Sequence, residues 1–164
     1  KLHVGDGVVR TIINRLKDAG LIVTSKAGCS LTDKGVRIWK KFEEFFPKRA
    51  EIGKTELTTA EHNYAFLVKN SGHKVKSGIE QRDAAIIAGA KRAVVIVFRG
   101  GHLVIESVSN SIEKEFPKAA NQILKDIQPK DNDVIIIAGA DAPQKAKHAA
   151  FAASWALLDS DKKK

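Results

Sequence analysis

Between Asp6 and Ala19, the apolar residues Val9, Ile12, Ile13 and Leu16 recur at the spacing of an amphipathic helix. On that helix the stripe Val9, Ile13 and Leu16 faces a core, and Gly7, Arg10, Thr11, Asn14 and Arg15 point elsewhere. Those side chains have the chemistry of nucleic-acid recognition. Arginine pairs with guanine or phosphate, asparagine with adenine, and threonine with phosphate or a thymine methyl group. Lys26, at a tight turn further on, can reach a backbone phosphate. The same residues also suit the solvated basic face of a protein-docking module; the positive charge of the chain favours nucleic acid.

A second group lies in K-S-G-I-E-Q-R-D-A-A-I-I-A-G-A, Lys76–Ala90. On a helix Ile79, Asp83, Ile86 and Ala90 share one face, which places Asp83 on an apolar stripe, where an unpaired carboxylate is costly. It needs a partner, and Arg82, Arg99 or a ligand can supply one. Either Gly78, Glu80, Arg82 and Asp83, with Arg99, shape a small-molecule site at the helix start, or Asp83 makes an internal ion pair that fixes the helix to a sheet. The internal pair is the plainer reading. In I-I-I-A-G-A-D-A-P-Q-K a strand passes through Gly139 into a helix near Asp141. A helix start can hold an anion, but Asp141 as its cap repels one, and no phosphate-loop spacing is present. His3, His62, His73, His102 and His148 show no i, i+4 pairing and no neighbouring cysteine, so no metal site is expected. Glu80, Asp83, His102 and Asp141 are scattered acid–base candidates without motif context, and neither an enzyme nor a cofactor is expected.

The elements that must position the first group follow from local signals. Asp6 suits an N-cap and Gly20 a left-handed helix end. Leu21–Ser25 and Cys29–Leu31 read as strands around a turn at Lys26–Gly28, and Thr32 and Asp33 cap a helix that runs to Phe46 and stops at Pro47. The runs R-T-I-I-N-R-L-K-D-A-G-L-I and T-S-K-A-G-C-S-L-T-D-K-G, within about Val4–Phe46, resemble the second half of a winged helix-turn-helix domain. The resemblance implies that the first helix is the recognition helix, the ribbon is the wing and double-stranded DNA is the partner. That family's first two helices have no counterpart after Lys1, so the expected domain is N-terminally truncated, in keeping with a chain that holds no methionine.

Residues 48–61 are polar and weakly patterned, and read as a connection with a short edge strand near Lys54–Leu57. Beyond it, Tyr64–Val68 alternates as a strand, and Ser77 with Glu80 forms a capping box for a helix through Ala88. Ala93–Phe98 and His102–Glu106 flank a Gly100–Gly101 hairpin turn; Pro117 opens a helix carrying Phe116, Ala120, Ile123 and Ile127. Val134–Ala138 is a further strand and Pro143–Leu158 a last helix. The expected class is α+β: a partial winged helix over residues 1–47, the connection 48–61, and a β-α-β-β-α-β(α) domain over 62–164. That domain is either ferredoxin-like or a mixed sheet, and serves dimerisation or ligand sensing. A winged helix joined to a ferredoxin-like domain resembles the leucine-responsive regulator family. R-T-I-I-N-R-L, L-T-D-K-G and G-I-E-Q-R-D-A-A-I-I-A-G-A resemble more closely an archaeal group of winged-helix proteins with an unassigned C-terminal domain.

Composition fits these readings. The chain has 164 residues, 43% hydrophobic and 29% charged, with a net charge of +9. The charge is denser in the first part: +5 over Lys1–Ile52 against +4 over the longer remainder. Ala84–Phe98 is interrupted by Lys91 and Arg92, so nothing approaches the roughly 20 apolar residues of a membrane span, and no membrane partner is expected. One cysteine, Cys29, excludes an internal disulfide framework, and a cytoplasmic location is expected. The stripes Trp39/Phe42/Phe45/Phe46 and Phe151/Trp155/Leu158 exceed what small domains cover, which points to a homodimer. The function expected is that of a DNA-binding transcriptional regulator, with a small-molecule effector as a further partner. The alternatives are an enzyme using the second domain with the winged helix as a docking module, and an RNA-associated winged-helix protein.

Overall fold

The computed structural model describes residues 5–106 and 108–159. They fall into two compact units, the first ending at Glu44 and the second beginning at Phe45.

The first unit begins with α1 (Asp6–Asp18), followed by an antiparallel ribbon of β1 (Ile22–Ser25) and β2 (Gly28–Leu31), and then α2 (Asp33–Phe45). Gly5 is the N-cap of α1, and Asp6 is instead an acidic residue of the first turn, where its charge complements the helix dipole. The other end is closed by Gly20 at φ 68°, with its N–H on the Lys17 carbonyl and the Leu21 N–H on the Leu16 carbonyl. This is a Schellman ending, which reverses the chain into β1. Thr32 joins ribbon to helix: its hydroxyl accepts the Gly35 N–H at 3.1 Å and donates to the Gly20 carbonyl at 2.7 Å. Gly35 is buried where a Cβ would overlap the Leu21 carbonyl oxygen, so the glycine lets α2 approach the chain between α1 and β1.

The second unit is one antiparallel sheet between two helical layers. Its strands are β3 (Arg49–Ile52), β4 (His62–Val68), β5 (Arg92–Arg99), β6 (His102–Val104) and β7 (Val134–Ala140), in the spatial order β3-β4-β7-β5-β6. The helices are α3 (Ile79–Ile87), the single-turn α4 (Ile112–Glu115), α5 (Pro117–Asp126) and α6 (Pro143–Asp159). The α+β class holds. Neither the ferredoxin-like arrangement nor a mixed sheet does: in the former the first and third strands form the central pair, whereas here the last strand, β7, is central between β4 and β5, and every pairing in the sheet is antiparallel. Every residue of β7 is buried, as a strand covered on both faces requires. Ile135 and Ile137, with Ala65, Leu67 and Ile96, pack toward Ile123 and Ile127 at α5. The opposite face carries Phe66 against Phe46 and Phe151, with α6 over β4 and β7 and α3 over β5.

Several local expectations move. The edge strand forms at Arg49–Ile52 rather than at residues 54–57, which turn because the Thr55 and Thr58 hydroxyls bond each other at 2.7 Å and Thr58 donates to the Gly53 carbonyl. The α3 N-cap is Gly78, at φ 74°, one residue after Ser77, whose hydroxyl accepts the Ile79 N–H at 3.4 Å. Phe46 does not continue an aromatic stripe on α2; it is buried in the core of the second unit, T-shaped to Phe66 and Phe151.

Candidate functional site

In the first unit, Gly7, Arg10, Thr11, Asn14 and Arg15 are all exposed on α1, while Val9 and Ile13 are its less exposed apolar residues. The expected stripe is kept only in part: Leu16 is exposed, as are Val8 and Ile12, and α1 buries no residue. Thr11 donates its hydroxyl to the Gly7 carbonyl at 2.9 Å, which holds the side chain against its own helix. Lys26 is exposed at the ribbon turn, where the Ser25 hydroxyl accepts the Ala27 N–H at 3.1 Å. Lys34 is spent differently: its ammonium group donates to the Ala19 carbonyl at 2.7 Å, closing the end of α1.

In the second unit, Asp83 does not sit on a buried stripe. The residues α3 buries are Gln81 and Ala85, and Ile79 and Ile86 are exposed alongside Asp83. α3 packs on α6, whose buried residues are Ala146, Ala149, Ala150, Ala153, Ser154 and Leu157, and it turns the Gln81/Ala85 face inward rather than its isoleucines. Asp83 therefore lies in solvent, 3.9 Å from the Arg82 guanidinium, and the internal pair to the sheet is not formed.

The sequence-predicted ligand residues divide. Gly78 and Arg82 line an open cleft of about 250 Å³ together with Ile79, Val94, Glu106 and Val108. Gly78 is buried, and a Cβ there would stand 3.0 Å from that of Val95, so α3 starts tight against β5. Arg99 is not part of the cleft lining but holds it, bonding Glu106 at 2.9 Å. Glu80 and Asp83 lie outside. Glu106 was missed because it follows a strand with no motif around it.

The scattered acid–base candidates have separate settings. His102 Nδ1 is 4.0 Å from Glu113, at the β5–β6 hairpin, whereas Asp141 follows the end of β7 that pairs with the start of β5. The length of β5 separates the two by roughly 20 Å at ~3.3 Å per residue. Asp141 is held below the ordinary aspartate range first by the hydrogen bond from Lys145, 3.1 Å away, and then by the charges of Lys145 and Lys91. A different cleft, of about 230 Å³, gathers Glu51, Glu61, His62 and Tyr64 beside Pro143. The Lys147 ammonium lies 5.6 Å from the centre of the Tyr64 ring.

Among the described residues no helix is long and apolar enough to cross a membrane. No curated protein matches the chain. The solved structure of the hypothetical protein PH0730 from Pyrococcus horikoshii OT3 is similar, with 27% identity and a TM-score of 0.74 over 99% of this chain and 82% of that one. A family model described as a domain of unknown function (DUF4443) matches residues 59–157, which spans β4 to α6 and holds the cleft beside α3. With more than half of its length in that match, the chain belongs to the DUF4443 family.

Proposed function

We propose that this protein is a transcriptional regulator whose first unit reads double-stranded DNA and whose second unit dimerises and senses a small molecule. One observation carries the reading: an exposed Gly7/Arg10/Thr11/Asn14/Arg15 surface on α1, followed in the chain by a ribbon with Lys26 at its turn. The winged-helix resemblance and the net charge of +9 support it. The helix supplies base-edge chemistry, and the ribbon lysine supplies a phosphate contact that positions without specifying. Exposed apolar side chains on the second unit, including Ile86 and Trp155, support a second copy as its partner.

Genomic DNA selected with the full chain, followed by salt-dependent binding to the recovered duplexes, tests this. Arg10→Ala is expected to cost about tenfold at particular base pairs. Lys26→Ala is expected to weaken all sequences alike and to lower the salt slope by about one unit. Equal affinity for every duplex, or no salt-dependent binding, overturns the DNA reading; tighter binding to RNA of matching sequence converts it to an RNA-associated protein.

A further inference from the structure

Ile79 and Val108 are two of the large apolar side chains the second unit leaves in solvent, at 51% and 75% exposure, and both line the cleft beside α3. Leu57 and Val94 line it as well, and both also pack on the core. The cleft is thus apolar along its walls, with two charged groups, Arg82 and Glu106. Those two are not equally available. Glu106 is committed to Arg99 at 2.9 Å, whereas among the described residues Arg82 makes a long 3.9 Å approach to Asp83, both of these side chains being more than half exposed. An exposed pair of that length is worth little and exchanges readily for a better carboxylate.

We infer that this cleft binds a small monocarboxylate with an apolar body, the carboxylate on Arg82 and the body covering Ile79 and Val108. About 250 Å³ gives room for roughly eight non-hydrogen atoms at ~30 Å³ each. Burying the two exposed side chains supplies the apolar part of the affinity, and a forked guanidinium–carboxylate contact selects the head group. The inference rests on the reading of the second unit as a sensing domain and names the class of molecule sensed.

The test is a titration of the isotopically labelled full chain with 4-methylpentanoate, with 4-methylpentan-1-ol and 4-methylpentylamine as matched probes, followed by amide shifts. Saturable shifts confined to residues around Ile79, Val94 and Glu106, with a dissociation constant on the order of millimolar, are expected for the acid, weaker for the alcohol and weakest for the amine. Arg82→Gln should weaken the acid about tenfold and leave the alcohol unchanged; Val108→Asp should weaken both. Both positions are exposed, and unchanged amide spectra elsewhere verify folding. No saturable shift with the acid, equal binding of acid and amine, or an Arg82→Gln chain that binds the acid as before overturns the inference. Duplex affinity is measured separately with and without the acid. A chain that binds the acid but no DNA removes the DNA reading alone, and one that binds DNA but not the acid removes the cleft alone.

Discussion

The Glu113 carboxylate accepts the Leu103 N–H at 2.7 Å and the Ser111 hydroxyl at 2.9 Å, so one side chain ties β6 to the start of α4. Burial acts to raise its pKa, but the Leu103 N–H, its own backbone N–H, the Ser111 hydroxyl and the nearby His102 outweigh it and hold the group below the ordinary glutamate range. A carboxylate with a lowered folded pKa stabilises the fold above its unfolded pKa and loses that contribution as pH falls through the folded value. Glu113→Gln should therefore cost about 1–2 kcal/mol near neutral pH. Urea titrations at stepped pH should show the gap to the parent chain closing below about pH 4.5. A gap that stays constant to pH 3 refutes the role. Asp133 does related work deeper in the unit: it is 5% exposed and accepts the N–H groups of Asn70 and Lys130 at 2.8 and 2.9 Å, joining the loops at the ends of β4 and α5.

At the scale of elements, the close approach of α2 to the chain ahead of β1 depends on Gly35. Adding a methyl group there drives it into the Leu21 carbonyl, the acceptor of the Thr32 N–H. Overpacking of this kind costs roughly 1–3 kcal/mol. Gly35→Ala should then speed hydrogen exchange of the Thr32 amide and the β1–β2 amides about tenfold, with the amides of β7 unaffected. Equal protection in both chains would show that the ribbon shifts without strain. The α3–α6 contact is likewise a matter of tertiary packing in the second unit, with Gln81 and Ala85 as the residues α3 buries. Amphipathic periodicity alone put Ile79, Asp83 and Ile86 inside. Tertiary packing put them outside, because the face of α3 turned to its neighbours is the one that carries Gln81 and Ala85.

For the whole molecule, assembly is the open question with the sharpest test. Trp155 is half exposed on α6, ring to ring with Phe151 at 6.0 Å, and Ile87 on α3 is 88% exposed. Sedimentation at micromolar concentration should give twice the 17.9 kDa chain mass, and Trp155→Glu should return it to a single chain. A single-chain mass for the parent protein overturns the dimer. Most strands and the longer helices of both units, though not β3 or the single-turn α4, were legible in the residues, down to the Gly20 helix ending, the Gly100–Gly101 turn and Pro117 at the start of α5, because these are set by local dihedral preference and hydrophobic period. So was the exposed polar set on α1, which follows from one helix's own geometry. The order β3-β4-β7-β5-β6, the burial of Phe46, the outward face of α3 and the meeting of Arg82 with Glu106 in one cleft were not. Each depends on which element lies beside which across long stretches of chain. A sequence period states that a face must be covered, and only packing decides by what.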